Sequence, residues 1–225
     1  MKKSILNLIC LQILIGTMFL MTSSPFQSCK KPVEPKCDTC NRIVVYKPNI
    51  YLYPTEKSQI SVNLSFPHGG KIITSIPYYG NGWMIDVDTS GLINNKYDYL
   101  FYESEQLDVW QLNEGWIIKR SELDKFFPNN MLRYGFTIRE IKDFTDYWIP
   151  RLTNSEYYEI YPQDSDIIQT VIKLEISKAP DNILRLFYVI KGVDSDSNKK
   201  MSLPGENIQF KRNGFCVTEW GVILK

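Results

Sequence analysis

The stretch RIVVYKPNIYLYP, Arg42 to Pro54, is the most concentrated apolar and aromatic run of the region that folds, and its reading decides the class. Val and Ile favour the pleated backbone, and Tyr46, Ile50 and Tyr51 supply large contact surfaces, so the run reads as a buried strand. Pro48 has no N–H to give to a ladder, so a kink is expected at mid-run, splitting the run into two short strands.

Downstream, SQISVNLSF alternates, with Ile60, Val62, Leu64 and Phe66 on one face and Ser61, Asn63 and Ser65 on the other. That is the period of a half-buried strand. The turn Pro67-His68-Gly69-Gly70 leads into Lys71 to Ile76, read as the return strand of a hairpin. Trp83, Ile85 and Val87 alternate with Met84, Asp86 and Asp88, which places both aspartates toward water. Further strands are expected at Tyr97 to Glu103, Trp116 to Ile118, Tyr157 to Tyr161, Val171 to Ser177, Ile183 to Ile190 and Gly214 to Leu224.

Helices belong to the middle. Ser121 with Asp124 is an imperfect cap, Pro128 interrupts whatever starts there, and Gly135 ends a short second segment. Thr137 with Glu140 is a capping box, opening a helix in which Ile138, Ile141, Phe144 and Trp148 recur at helical spacing before Pro150. Strands, then helices, then strands, without regular alternation, give an α+β fold: a mainly antiparallel β sheet or sandwich with a helical insertion.

Upstream, Lys2 and Lys3 precede an almost wholly apolar run, Ile5 to Met21, which reads as an export signal. The chain has no alanine before Ala179, so an A-x-A site is missing, whereas Ser28-Cys29 resembles the end of a bacterial lipoprotein box. In such proteins the cysteine is lipidated, as with palmitate, and becomes the mature N-terminus. The expected organisation is a lipoprotein signal peptide over 1–28, a flexible Pro-rich tether over 29–41, and one β-rich globular domain over 42–225. The protein is then extracytoplasmic at the bacterial cell envelope, joined to the membrane through its N-terminal lipid. An uncleaved anchor or a conventionally secreted chain would share that side of the membrane.

Formal charge is +1 with no run of like charges, which speaks against nucleic acid as a partner. Cys37 and Cys40 are a candidate disulfide, and the alternative joins one of them to Cys216. The C-x-x-C lies in the tether without a strand-to-helix context, so redox work is not expected. His68 is the single histidine, too few ligands remain for zinc, and Lys199 and Gly205 spoil the calcium-loop start at Asp194, Asp196 and Asn198. No phosphate loop, nucleophile elbow or dinucleotide fingerprint occurs, so no metal and no cofactor are expected.

VVYKPNIYLYP, YDYLFYE, DFTDYWIPRL and GFCVTEWG resemble, in the same order, the landmarks of a family of uncharacterised bacterial proteins that read KPVIYLYP, YLFWE, DFxxYWxPRL and GFxVVEWGG. The resemblance spans Val44 to Gly221 and implies no activity. Asn49, Tyr102 and Val222 depart from the pattern.

Glu103 and Glu219, each in one of those stretches, are the carboxylates on which a glycosidase-like hydrolase would rest, one as acid and one as base or nucleophile. The plainer reading gives each a solvent face or an arginine such as Arg139 or Arg151. His68 and Cys216 have nothing in the sequence to bring them together. Aromatic content is high, with five Trp, fourteen Tyr and eleven Phe. Tyr78, Tyr79, Tyr157 and Tyr158 are candidates for a binding surface, because neighbours in a strand cannot both face inward. The functional expectation is a binding module for envelope carbohydrate or protein, without catalysis, and the competing one is the hydrolase using Glu103 and Glu219.

Overall fold

The computed structural model describes residues 41–195, 201–205 and 210–225. The expected signal peptide, lipidation at Cys29, Cys37–Cys40 pairing and all of the expected tether but its last residue lie outside the described residues.

The elements in order are β1 (Arg42–Tyr53), β2 (Ser58–Ser65), β3 (Gly70–Ile76), β4 (Trp83–Val87), β5 (Leu100–Leu107), β6 (Trp116–Lys119), α1 (Leu123–Tyr134), α2 (Ile138–Trp148), β7 (Tyr157–Gln163), α3 (Ser165–Val171), β8 (Lys173–Ile176), β9 (Asn182–Val193) and β10 (Cys216–Leu224). Seven strands form one sheet in the order β3-β5-β1-β10-β9-β7-β6, and three form a second, β4-β2-β8. All pairings between these strands are antiparallel except β9 with β10. The fold is α+β, with the helical insertion between β6 and β7.

Two apolar cores set three layers. Ile60, Val62, Trp83 and Ile85 of the small sheet meet Ile50, Leu52, Tyr102, Phe187 and Val217 of the large one. On the large sheet's other face, Phe127, Met131, Ile141, Phe144 and Trp148 of the helices meet Tyr51, Leu186, Tyr188 and Trp220. The central strands are therefore covered on both sides. This explains why β9 and β10 read as nearly continuous apolar runs while β2 and β4 alternate.

The expected kink at Pro48 is a bulge within one strand. The register of β1 shifts between Tyr46 and Asn49, and Lys47 has φ 55°. Ladder pairing resumes at Asn49, so β1 continues as a single element.

Four sequence expectations need correction. Lys71 to Ile76 does not return beside β2: β3 pairs with β5, so the turn at His68 carries the chain from one sheet to the other. A hairpin signal fixes a turn but not the partner of the strand that follows. Pro128 lies inside α1 without breaking it. A helix-interior proline costs about 3 kcal/mol, and burial of Phe127 and Met131 on either side, each contributing about 1.5–3 kcal/mol, offsets it. The strand expected from Val171 is preceded by α3, whose N-cap Asp164 accepts from the Ile167 N–H at 3.0 Å, and β8 begins only at Lys173. Finally, Ile138 is 72% exposed. The capping box at Thr137 and Glu140 forms as expected, and Ile141, Phe144 and Trp148 make the buried face. Ile138, in the first turn, precedes the stretch that touches the sheet.

Candidate functional site

Glu103 and Glu219 do not face each other. Along β5, Tyr102 points to the small sheet and its neighbour Glu103 to the other side, because successive strand residues alternate. Glu219 accepts from the Tyr102 hydroxyl at 2.7 Å, so it lies on the Tyr102 face. The two carboxylates thus sit on opposite faces of one sheet, and the paired-carboxylate arrangement is absent.

Glu219 is wholly buried and has a partner that neither Arg139 nor Arg151 supplies. Arg185, 2% exposed and opposite it in the parallel β9 ladder, donates Nε to Oε2 at 2.5 Å. Nη1 of Arg185 also reaches the Ile172 carbonyl at 2.7 Å and Gln169 Oε1 at 2.8 Å. Arg185 and Glu219 each interrupt an apolar run of a strand covered on both faces, and that pattern was the available sign that they needed each other. Arg139 pairs instead with Asp98.

Of the four tyrosines, Tyr78 is 88% exposed. Tyr79 turns inward, its hydroxyl donating to the Leu64 carbonyl and accepting from the Leu64 N–H. Tyr157 is half-buried and Tyr158 buried. Tyr78 follows β3 at one end of the strand order and Tyr157 opens β7 near the other, so they do not make one surface. His68 is exposed beside the Gly70 end of β3, whereas Cys216 is buried at the β10 end that pairs with Tyr53. Asp86 is exposed, and Asp88 closes its turn by accepting from Ser90 and Leu92.

Three of the four landmark stretches come together around Lys47, a residue without a role in the sequence-based expectations. Lys47, half-buried at the β1 bulge, donates Nζ to Asn49 Oδ1 at 3.1 Å and to the Tyr99 hydroxyl at 3.3 Å. Its ammonium lies over the rings of Tyr99 and Phe101, 4.6 Å from each centroid, and 5.5 Å from that of Tyr147. Asn49 also donates to the Tyr51 hydroxyl at 3.5 Å, which in turn donates to Asp143 at 2.9 Å. Arg151 stacks on the Tyr147 ring at 3.7 Å. Burial holds the Lys47 ammonium down to about 8; the charges of Asp143 and Glu103 oppose this and Arg151 adds to it. Burial, with Asp143 beside it, pushes the Tyr51 phenol up.

A second feature is an open groove of about 370 Å³ between the edge strand β6 and α1. Trp116 and Ile118 form one wall, Phe126, Asn129, Asn130 and Arg133 the other. Trp116 and Phe126 are both half-buried and meet edge to face at 5.3 Å. Asn130 accepts from the Tyr188 hydroxyl at 2.6 Å through Oδ1, which fixes its side chain and leaves the amide N–H groups for the groove. An adjoining hollow shares Trp116, Asn130 and Arg133. Trp116 and Phe126 could have been found from their position beside an edge strand, had the strand order been legible.

Compared with models of protein families, with curated proteins and with solved structures, the chain finds no match.

Proposed function

We propose that this protein is a binding module of the bacterial cell envelope that takes carbohydrate in the groove between β6 and α1. The observation that carries the reading is the lining: two aromatic side chains in a concavity rimmed by amide and guanidinium groups. Aromatic faces offer apolar area with few rotamers to freeze, and Asn and Arg offer directional donors, which is the combination a sugar ring with its hydroxyls requires. A volume of about 370 Å³ is at the small end of the roughly 300–1,000 Å³ usual for ligand sites, suited to one or two sugar units at a chain end. The open form favours a segment of a longer glycan over a free, enclosed molecule.

Trp116→Ala is expected to weaken binding at least tenfold, about 1.4 kcal/mol, when detergent-extracted full-length protein is titrated with soluble envelope glycans. Arg133→Ala, at an exposed position, should lower affinity without lowering the unfolding temperature. Glycan binding that is unchanged in both variants would remove the groove from consideration.

The same proposal places the module on the outer side of a membrane through Cys29. Cys29→Ser is expected to yield an unprocessed precursor without acyl mass, read by mass spectrometry of the intact protein. Wild-type protein that begins elsewhere, or carries no lipid, would defeat the anchor and leave the groove proposal standing.

A further inference from the structure

Lys47 is an unusual lysine by geometry alone. It sits in the left-handed backbone region at φ 55°, where a side chain other than Gly or Asn is held against a cost of about 1–3 kcal/mol. The bulge turns its amine onto the helical face of the sheet, where three ring faces surround it. Among the described residues no carboxylate stands within ion-pair distance of it. Its hydrogen-bond partners among the described residues are neutral oxygens, those of Asn49 and Tyr99. A structural lysine is ordinarily solvated or paired with an acid. A half-buried amine among rings, with no acid partner among the described residues and within reach of a phenol, is arranged as a nucleophile.

We propose that Lys47 is a reactive amine that captures a small aldehyde as an imine at the surface formed by Tyr99, Phe101 and Tyr147. The lone pair of the neutral amine attacks the carbonyl carbon. The C–N bond forms as the C=O π pair moves to oxygen, which takes a proton from the Tyr99 hydroxyl. Nitrogen then loses a proton, restoring the Tyr99 phenol and giving the carbinolamine. In the second half the hydroxyl leaves as water with one proton, nitrogen gives up its other hydrogen, and the C=N bond forms. Aldehyde and amine yield imine and water, with no oxidant or reductant.

The parts fit those steps. Burial and the neighbouring charge of Arg151 bring Lys47 to about 8 against the opposing charges of Asp143 and Glu103, so roughly a tenth of it is neutral at pH 7, about 300-fold more than for an ordinary lysine. Tyr99 is raised by burial and by Asp143, so it stays protonated and able to donate. Asn49 Oδ1 accepts one amine hydrogen and so holds the amine in place. The ring faces favour a small, largely apolar aldehyde over a charged one. This site lies on the same face of the sheet as the glycan groove but several strands away from it, and the two proposals stand separately.

The test is reductive trapping of full-length protein with propionaldehyde and cyanoborohydride, followed by peptide mass spectrometry. Lys47 should be labelled at least tenfold faster at pH 7 than the exposed Lys57 and Lys71. Its rate should rise with pH and be half-maximal near 8. Tyr99→Phe should slow labelling of Lys47 alone. Labelling of Lys47 no faster than of Lys57 and Lys71 would overturn the proposal. A rate unaffected by Tyr99→Phe in a folded variant would overturn the role given to that phenol.

Discussion

Arg185→Met is expected to lower the unfolding free energy by about 3 to 5 kcal/mol. The substitution nearly conserves length and apolar volume, so little of the loss comes from a cavity. What it removes is, among the described residues, the one cationic partner of Glu219, which stays in the interior with the Tyr102 hydroxyl as its donor. It also strips the Gln169 side chain and the Ile172 carbonyl of their bonds to Nη1. One buried donor, Arg185 Nη2, has no protein partner even in the native arrangement, so the arginine is held for its other contacts and for the charge. Adding Glu219→Gln to Arg185→Met should recover at least about 2 kcal/mol, because the amide oxygen can still accept from Tyr102 while no buried charge remains. Urea unfolding of the single and double variants measures both numbers. A single variant within about 1 kcal/mol of the parent would mean that the carboxylate reaches water, contrary to its burial between the sheets.

That ion pair also marks where reading the sequence succeeded and stopped. Local rules found the local devices. Thr137 and Glu140 declared the start of α2 because a capping box is made by residues three apart, and β2 and β4 declared themselves because one face of each is wet. Glu140 does more than close the box: wholly buried, it accepts from the Tyr53 and Thr218 hydroxyls and from Arg212, tying the helix to β1 and β10. Those partners lie 72 to 87 residues away in the chain, and no periodicity announces them. Partner choice among strands is likewise non-local. The turn at His68 looks the same whether β3 folds back on β2 or crosses to β5. Burial on both faces makes β9 and β10 apolar throughout, which hides which residues point to which layer. Only Arg185 and Glu219, one in each run, betray the register.

Lys47 was hidden for a different reason. A lysine before a proline in a run of tyrosines reads as a kink that splits the strand, and the structure makes it a bulge within one strand. What could not be read is that the bulge, by slipping the register between Tyr46 and Asn49, sets the amine under residues drawn from β5, the segment before it and α2. Three weakly informative stretches become one chemical environment only after the sheet is assembled.

The second large effect is expected at Trp148. It is 3% exposed and lies on the same face of α2 as Ile141 and Phe144, against the large sheet. Trp148→Ala should cost about 3 to 5 kcal/mol through lost burial and the cavity left behind, and lower the melting temperature by about 10 °C for a domain of this size. Trp148→Phe should behave differently from what its loss of area suggests. The indole Nε1 is buried without a hydrogen-bond partner among the described residues, a liability of about 1 to 3 kcal/mol that the phenyl ring does not carry. Removing that liability offsets most of the lost contact, so the phenylalanine variant is expected within about 1 kcal/mol of the parent. Two thermal unfolding curves separate the contributions. If Trp148→Phe falls as far as Trp148→Ala, the fit of the indole to the second core outweighs its unpaired N–H. If Trp148→Ala leaves the melting temperature within a degree or so, α2 does not depend on this side chain to hold to the sheet.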